Sequence, residues 1–138
     1  MGAFNVTTLG DRARSVKYTP INAATLDGTT TTQVAIIPFE GRHSLGLQWT
    51  WTSTLTATIG LEVSSNYDAR RPTEARWTTV TDATITAYLG AAAPPGGKPS
   101  GTAGSAYLLI DPLRCAAVRF TATRTASSGV ITLDVEAS

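Results

Sequence analysis

Between residues 114 and 136 the chain alternates apolar and polar side chains with a period of two, and no other feature of the sequence constrains the fold as much. Ala116, Val118, Phe120 and Ala122 fall on one side of an extended backbone, and Ala117, Arg119, Thr121 and Thr123 on the other. After Ala126-Ser127-Ser128-Gly129 the pattern resumes, with Ile131, Leu133 and Val135 set against Thr132, Asp134 and Glu136. Successive side chains of a strand point to opposite faces, so each run is a strand with one apolar face. The short link of small residues predicts a β-hairpin whose turn uses Gly129 at positive φ. Burial of Val118, Phe120 or Leu133 contributes about 1.5–3 kcal/mol each. A second sheet must cover the apolar face, and the rest of the chain has to provide it.

Candidates for that sheet follow one another at short intervals. Residues 32–40 alternate Val34, Ile36 and Pro38 with Ala35, Ile37 and Phe39. Both faces are apolar, which predicts a strand buried on both sides or one whose second face meets a partner. Pro38 has no N–H to donate, so that end belongs at a sheet edge or a bulge. Residues 43–52 place Leu45, Leu47, Trp49 and Trp51 on one face, and the two leucines mark it as a core face. Residues 56–64 set Ile59, Leu61 and Val63 against Thr58, Gly60, Glu62 and Ser64. With the short Ser53-Thr54-Leu55 link, these two runs are expected to form another hairpin. Shorter strands are predicted at 76–80, 83–89 and 105–110, separated by a polar loop over 65–74 and a Pro- and Gly-rich loop over 90–104.

Residues 1–31 show no clear period before Val16-Lys17-Tyr18-Thr19-Pro20-Ile21 and are expected to be an N-terminal arm, with the folded domain spanning 32–138. Phe4, Val6, Leu9 and Tyr18 make this arm too apolar for a purely solvated tail. About eight short strands without a helical period indicate an all-β, antiparallel β-sandwich, with a jelly roll as the more specific form. A parallel α/β fold would need helical crossovers, and the sequence offers none.

Composition narrows the function. Charged residues make up only 15% of the 138 residues, so the surface is rich in Thr, Ser, Ala and Gly and easily desolvated. A net charge of +1 argues against a nucleic-acid binder. No apolar run approaches the ~20 residues that span a bilayer. The first residues lack the charged region and apolar core of a signal peptide, which leads us to expect synthesis and retention in a cytoplasm. A lone cysteine, Cys115, cannot form an internal disulfide and reads as a small buried hydrophobe. His43 is the sole histidine and has no nucleophile motif near it. Too few Cys and His exist for a structural zinc site. Gly96-Gly97-Lys98-Pro99-Ser100 has the glycines of a phosphate loop, but Pro99 stands where its helix should continue. We therefore expect no catalytic residues, no metal and no cofactor, and an interaction module rather than an enzyme.

One ordered set of motifs goes further. It comprises Gly46-Leu47-Gln48-Trp49-Thr50-Trp51, then Leu61-Glu62-Val63-Ser64-Ser65-Asn66, then Arg76-Trp77-Thr78-Thr79-Val80. It ends with Val118-Arg119-Phe120-Thr121-Ala122-Thr123-Arg124-Thr125 and Gly129-Val130-Ile131-Thr132-Leu133. This order resembles the small β-sandwich cement, or decoration, proteins of tailed-bacteriophage capsids, jelly-roll cement proteins of short-tailed phages among them. The resemblance spans residues 44 to 136. The chain departs from it in a longer turn after Asn66 and a longer loop over 90–104, and the first 31 residues lie outside it.

The resemblance implies a virion protein made in the host cytoplasm and seated on the outer capsid surface. Its implied partners are the major capsid protein and further copies of itself, as a homodimer or homotrimer, with no nucleic acid or membrane. The expected partner-binding residues are Phe4, Val6, Leu9, Arg12, Arg14 and Tyr18 of the arm, with Arg70 and Arg71 of the polar loop. The competing expectation is a carbohydrate- or receptor-binding module. It would present Trp49, Trp51, Trp77, Tyr67 and Tyr88 as a stacking face.

Overall fold

The computed structural model describes residues 15–80 and 103–138. Eight strands are formed there: β1 (Val16–Leu26), β2 (Thr32–Pro38), β3 (Leu45–Trp51), β4 (Thr56–Ser64), β5 (Thr78–Thr79), β6 (Gly104–Ile110), β7 (Ala117–Ala126) and β8 (Gly129–Ala137). They build two four-stranded sheets, ordered β1-β8-β3-β6 and β2-β7-β4-β5, and every paired neighbour is antiparallel. Strand 1 pairs with 8, 2 with 7, 3 with 6 and 4 with 5, the pairs alternating between sheets. A long antiparallel ribbon rolled up on itself gives this order, which is the jelly-roll form of the β-sandwich. The predicted fold class is thus the observed one.

The core lies between the sheets and is filled by the inward half of each alternation. Leu45, Leu47 and Trp49 from β3, and Ile131, Leu133 and Val135 from β8, meet Val118, Phe120 and Ala122 of β7. Trp49 and Trp51 are both buried, as the leucines on their face predicted.

The structure changes the predicted pairing at two places. The strands of residues 114–136 are not a hairpin. β7 pairs with β2 and β4, whereas β8 crosses to the other sheet and pairs with β1 and β3. The runs at 45–51 and 56–64 likewise separate, β3 into one sheet and β4 into the other. Alternation reports which face of a strand is apolar. It does not report whether the next strand lies beside it or opposite it, and here β3 and β7 each face their successor across the core.

Both crossings turn on a serine in the left-handed region, Ser53 at φ 59° and Ser127 at φ 58°. The expected positive φ at Gly129 does not occur. The glycine is needed for space, since a Cβ there would sit 2.4 Å from the Thr52 carbonyl oxygen and 2.9 Å from Leu55 Cβ. The two links therefore abut. They are joined where Thr52 N donates to Val130 O (3.0 Å) and Val130 N donates to Thr52 Oγ1 (3.0 Å).

A further correction concerns the arm. Residues 16–26, expected within it, are the edge strand β1. Its core-facing residues are Tyr18, Ile21, Ala24 and Leu26, at intervals of three, three and two. The irregular spacing arises from register shifts against β8 between Tyr18 and Ile21 and between Ile21 and Ala24. Each shift inserts one extra residue and changes the phase of the alternation, which hides the strand from a period-two reading. The turn into β2 is held by Asp27, whose Oδ1 accepts hydrogen bonds from the backbone of Thr30 (2.7 Å) and Thr29 (2.8 Å). These bonds hold its carboxyl below the usual range. Residues 1–14 and the strand expected at 83–89 lie outside the described residues.

Candidate functional site

Strands that give their apolar half to the core give the other half to the outer faces, and the two outer faces differ. On the β1-β8-β3-β6 sheet the outward residues are mostly small or polar, yet they enclose a groove of about 430 Å³. One wall comes from β6, where Tyr107 and Leu109 are 60% and 46% exposed. The floor is β3, with Gly46 and Gln48, and the far side carries Asp134 and Glu136 of β8 and Lys17 and Thr19 of β1.

Gly46 makes this shape possible. A Cβ at that position would lie 3.1 Å from the Tyr107 hydroxyl, so the phenol rests where a larger residue would push it away. Tyr107 is the register partner of Gln48, and its side chain leans diagonally over the glycine. The two carboxylates are oriented by β1 and the residue that precedes it. Thr19 Oγ1 donates to Asp134 (2.9 Å) and Ser15 Oγ donates to Glu136 (2.9 Å). The groove thus offers an aromatic surface, hydroxyl groups, an amide and two carboxylates on a rigid sheet.

The outer face of the β2-β7-β4-β5 sheet has two parts. On edge strand β2, Val34 and Ile36 are 57% and 41% exposed, while Ile37 and Phe39 enter the core. The reading that the second face of this strand is buried within the chain is therefore not met. Its apolar residues face outward, and Pro38 stands on the edge strand as its missing N–H requires. Toward β5, Arg119 grips Glu62 through two bonds, Nε to Oε1 at 3.0 Å and Nη2 to Oε2 at 2.7 Å. Its guanidinium also lies 4.5 Å from the Trp77 ring centroid, and Tyr67 packs against Trp77 at 5.7 Å. The charges fold β5 onto β4 and cap the aromatic ring.

The aromatic stacking face expected for a carbohydrate module is not assembled. Trp49 and Trp51 are in the core, Trp77 is covered by Arg119 and Tyr67, and Tyr88 lies outside the described residues. Tyr107, which no sequence pattern singled out, is the exposed large aromatic among the described residues. Only the pairing of β6 with β3, and the diagonal glycine Gly46, reveal it.

Of the expected partner-binding residues, Phe4, Val6, Leu9, Arg12 and Arg14 lie outside the described residues. Tyr18 belongs to β1 rather than to an arm, and it packs against the core as the partner of Val135. Arg70 bonds Asp68 (3.1 Å), which lowers the Asp68 pKa, and Arg71 lies 3.9 Å from Glu74. Each of these two arginines thus has an acidic neighbour within the loop. The loop itself is anchored by Asn66. Its Oδ1 accepts bonds from Arg76 N (2.8 Å) and Ser64 Oγ (3.0 Å), and its Nδ2 donates to Glu74 O (3.0 Å).

His43 is exposed, and its backbone N donates to Ser138 O (2.7 Å). Cys115 is half-buried, and desolvation pushes its thiol pKa up to about 11. Among the described residues no His, Cys, Asp or Glu side chains gather as a metal site.

No protein-family profile matches the chain, and no curated protein matches its sequence. Solved structures do show similarity. The VP2 subviral particle of infectious bursal disease virus aligns over 90% of the chain and 32% of its own, with 10% identity and a TM-score of 0.49. The chain thus spans about a third of the length of VP2. CorA, a surface-associated copper-binding protein of Methylomicrobium album BG8, aligns over 93% of this chain and 95% of its own, with 10% identity and a TM-score of 0.49. The K1 cleaved adhesin domain of Lys-gingipain from Porphyromonas gingivalis aligns over 90% and 73%, with 17% identity and a TM-score of 0.39. At these identities the likeness concerns the fold alone.

Proposed function

We propose that this chain is a structural protein of a tailed-phage virion. It binds the outside of the capsid as a homo-oligomer and cements neighbouring major capsid subunits. The observation that carries this reading is the pair Val34 and Ile36, exposed side by side on an edge strand. Isolated apolar side chains on a surface are ordinary, but an apolar pair on an open strand edge invites a partner. The ordered motifs at 46–51, 61–66, 76–80 and 118–133 support the same reading through their resemblance to capsid cement proteins.

Such a role needs no chemistry. A cement protein adds contacts across the junctions between shell subunits and so raises the force that separates them. Each contact can be weak, because many copies and several footholds per oligomer multiply the effect. The low charge of the chain reduces the desolvation cost at the contact.

Purified protein added to bare heads should bind saturably and raise the temperature at which they rupture. The double substitution Val34→Asp, Ile36→Asp should weaken binding by at least about tenfold, the desolvation of a carboxylate in an apolar contact being costly. It should leave the melting temperature of the free protein nearly unchanged, since both side chains are exposed. Absence of binding at saturating protein would refute the proposal.

A further inference from the structure

We propose that the groove on the outer face of the β1-β8-β3-β6 sheet binds a neutral saccharide, with Tyr107 as its stacking platform. The site lies on the opposite outer face from Val34 and Ile36, so it is independent of the contact proposed for the shell. A copy held by one face leaves the other open to solvent.

Four observations lead to a sugar. First, a pyranose has an apolar C–H face that stacks on an aromatic ring, and Tyr107 offers a ring that is 60% exposed. Its position is fixed by the space that Gly46 leaves beneath its hydroxyl. Second, the rim carries the groups that hydrogen-bond sugar hydroxyls. Asp134 and Glu136 already accept O–H donors, from Thr19 and Ser15, so O–H to carboxylate bonding is the chemistry this face is built for. Gln48, paired with Tyr107 in the register, supplies both a donor and an acceptor beside the ring. Third, the charges nearly cancel. Among the side chains, Lys17 stands against Asp134 and Glu136, which leaves one net negative charge and disfavours an anionic ligand. Fourth, the volume of about 430 Å³ falls within the roughly 300–1,000 Å³ of small-ligand sites, and the walls are strands that need no rearrangement to receive a ligand.

The test uses the full chain, labelled with nitrogen-15. Glucose, galactose, mannose, N-acetylglucosamine and their common disaccharides are titrated individually while amide resonances are followed. At least one sugar should shift Gly46, Gln48 and Tyr107 saturably, leaving Val34 and Ile36 unmoved. Tyr107→Ala should weaken that sugar by about tenfold, with Tyr107→Phe retaining most of the affinity. Gly46→Ala should weaken it too, by displacing the phenol. The Val34→Asp, Ile36→Asp variant should bind the sugar as the parent does, and Tyr107→Ala should still bind capsids, which separates failure here from failure of the cement role. The inference is overturned if no sugar shifts these residues up to its solubility limit. It is equally overturned if Tyr107→Ala binds as tightly as the parent, or if the groove responds only to a Lys- and Arg-rich peptide.

Discussion

Gly129 and Arg119 show how single residues hold this jelly roll together. At Gly129 the constraint is contact between two backbone links. Gly129→Ala would drive a methyl into the Thr52 carbonyl and should cost about 1–3 kcal/mol, read as a lower urea midpoint at constant slope. Gly60→Ala is the control, since a Cβ there meets its nearest neighbour at an ordinary 3.6 Å and should change stability little. At Arg119 the constraint is geometric. The fork holds Glu62 while its flat face covers Trp77, so Arg119→Ala should cost about 2 kcal/mol. Arg119→Lys should recover only a small part of that loss, because an ammonium neither forks nor stacks. The most specific motifs of the phage resemblance contain these residues. Their work in this molecule is architectural: Val118 and Phe120 fill the core, and Asn66 anchors the loop before β5.

At the scale of elements, the sequence was legible wherever alternation ran unbroken. β2, β3, β4, β7 and β8 all lie where the period-two pattern predicted them, and their inward residues are the core. β1 was not legible, because two bulges shift its phase between Tyr18 and Leu26. Partner choice was not legible either. The same alternation serves a hairpin and a crossing between facing sheets, and the left-handed serines Ser53 and Ser127 that turn those crossings have no strong sequence signature. Of the groove, Asp134 and Glu136 could be recognised as outward-facing, because they alternate with Ile131, Leu133 and Val135, whereas Lys17 and Thr19 could not. Tyr107 acquires its setting from the β3–β6 register. These corrections alter what truncation should do. Deleting residues 1–31 removes β1 together with buried Ile21 and Leu26 and exposes the apolar edge of β8, so the product should not melt cooperatively by calorimetry.

For the whole molecule, the fold sets two unlike faces back to back. One carries an exposed apolar pair on its edge strand, and the other an aromatic groove rimmed with polar groups. A sandwich of this kind can hold a surface with one face and meet the surroundings with the other. The central claim, that it cements a capsid, is tested most directly by its copy number in purified virions, measured by quantitative mass spectrometry against the major capsid protein. The account predicts a stoichiometry that scales with the shell subunits, in a simple ratio set by the capsid symmetry. A few copies per particle, as at a single vertex or in the tail, or no copies at all, would contradict it.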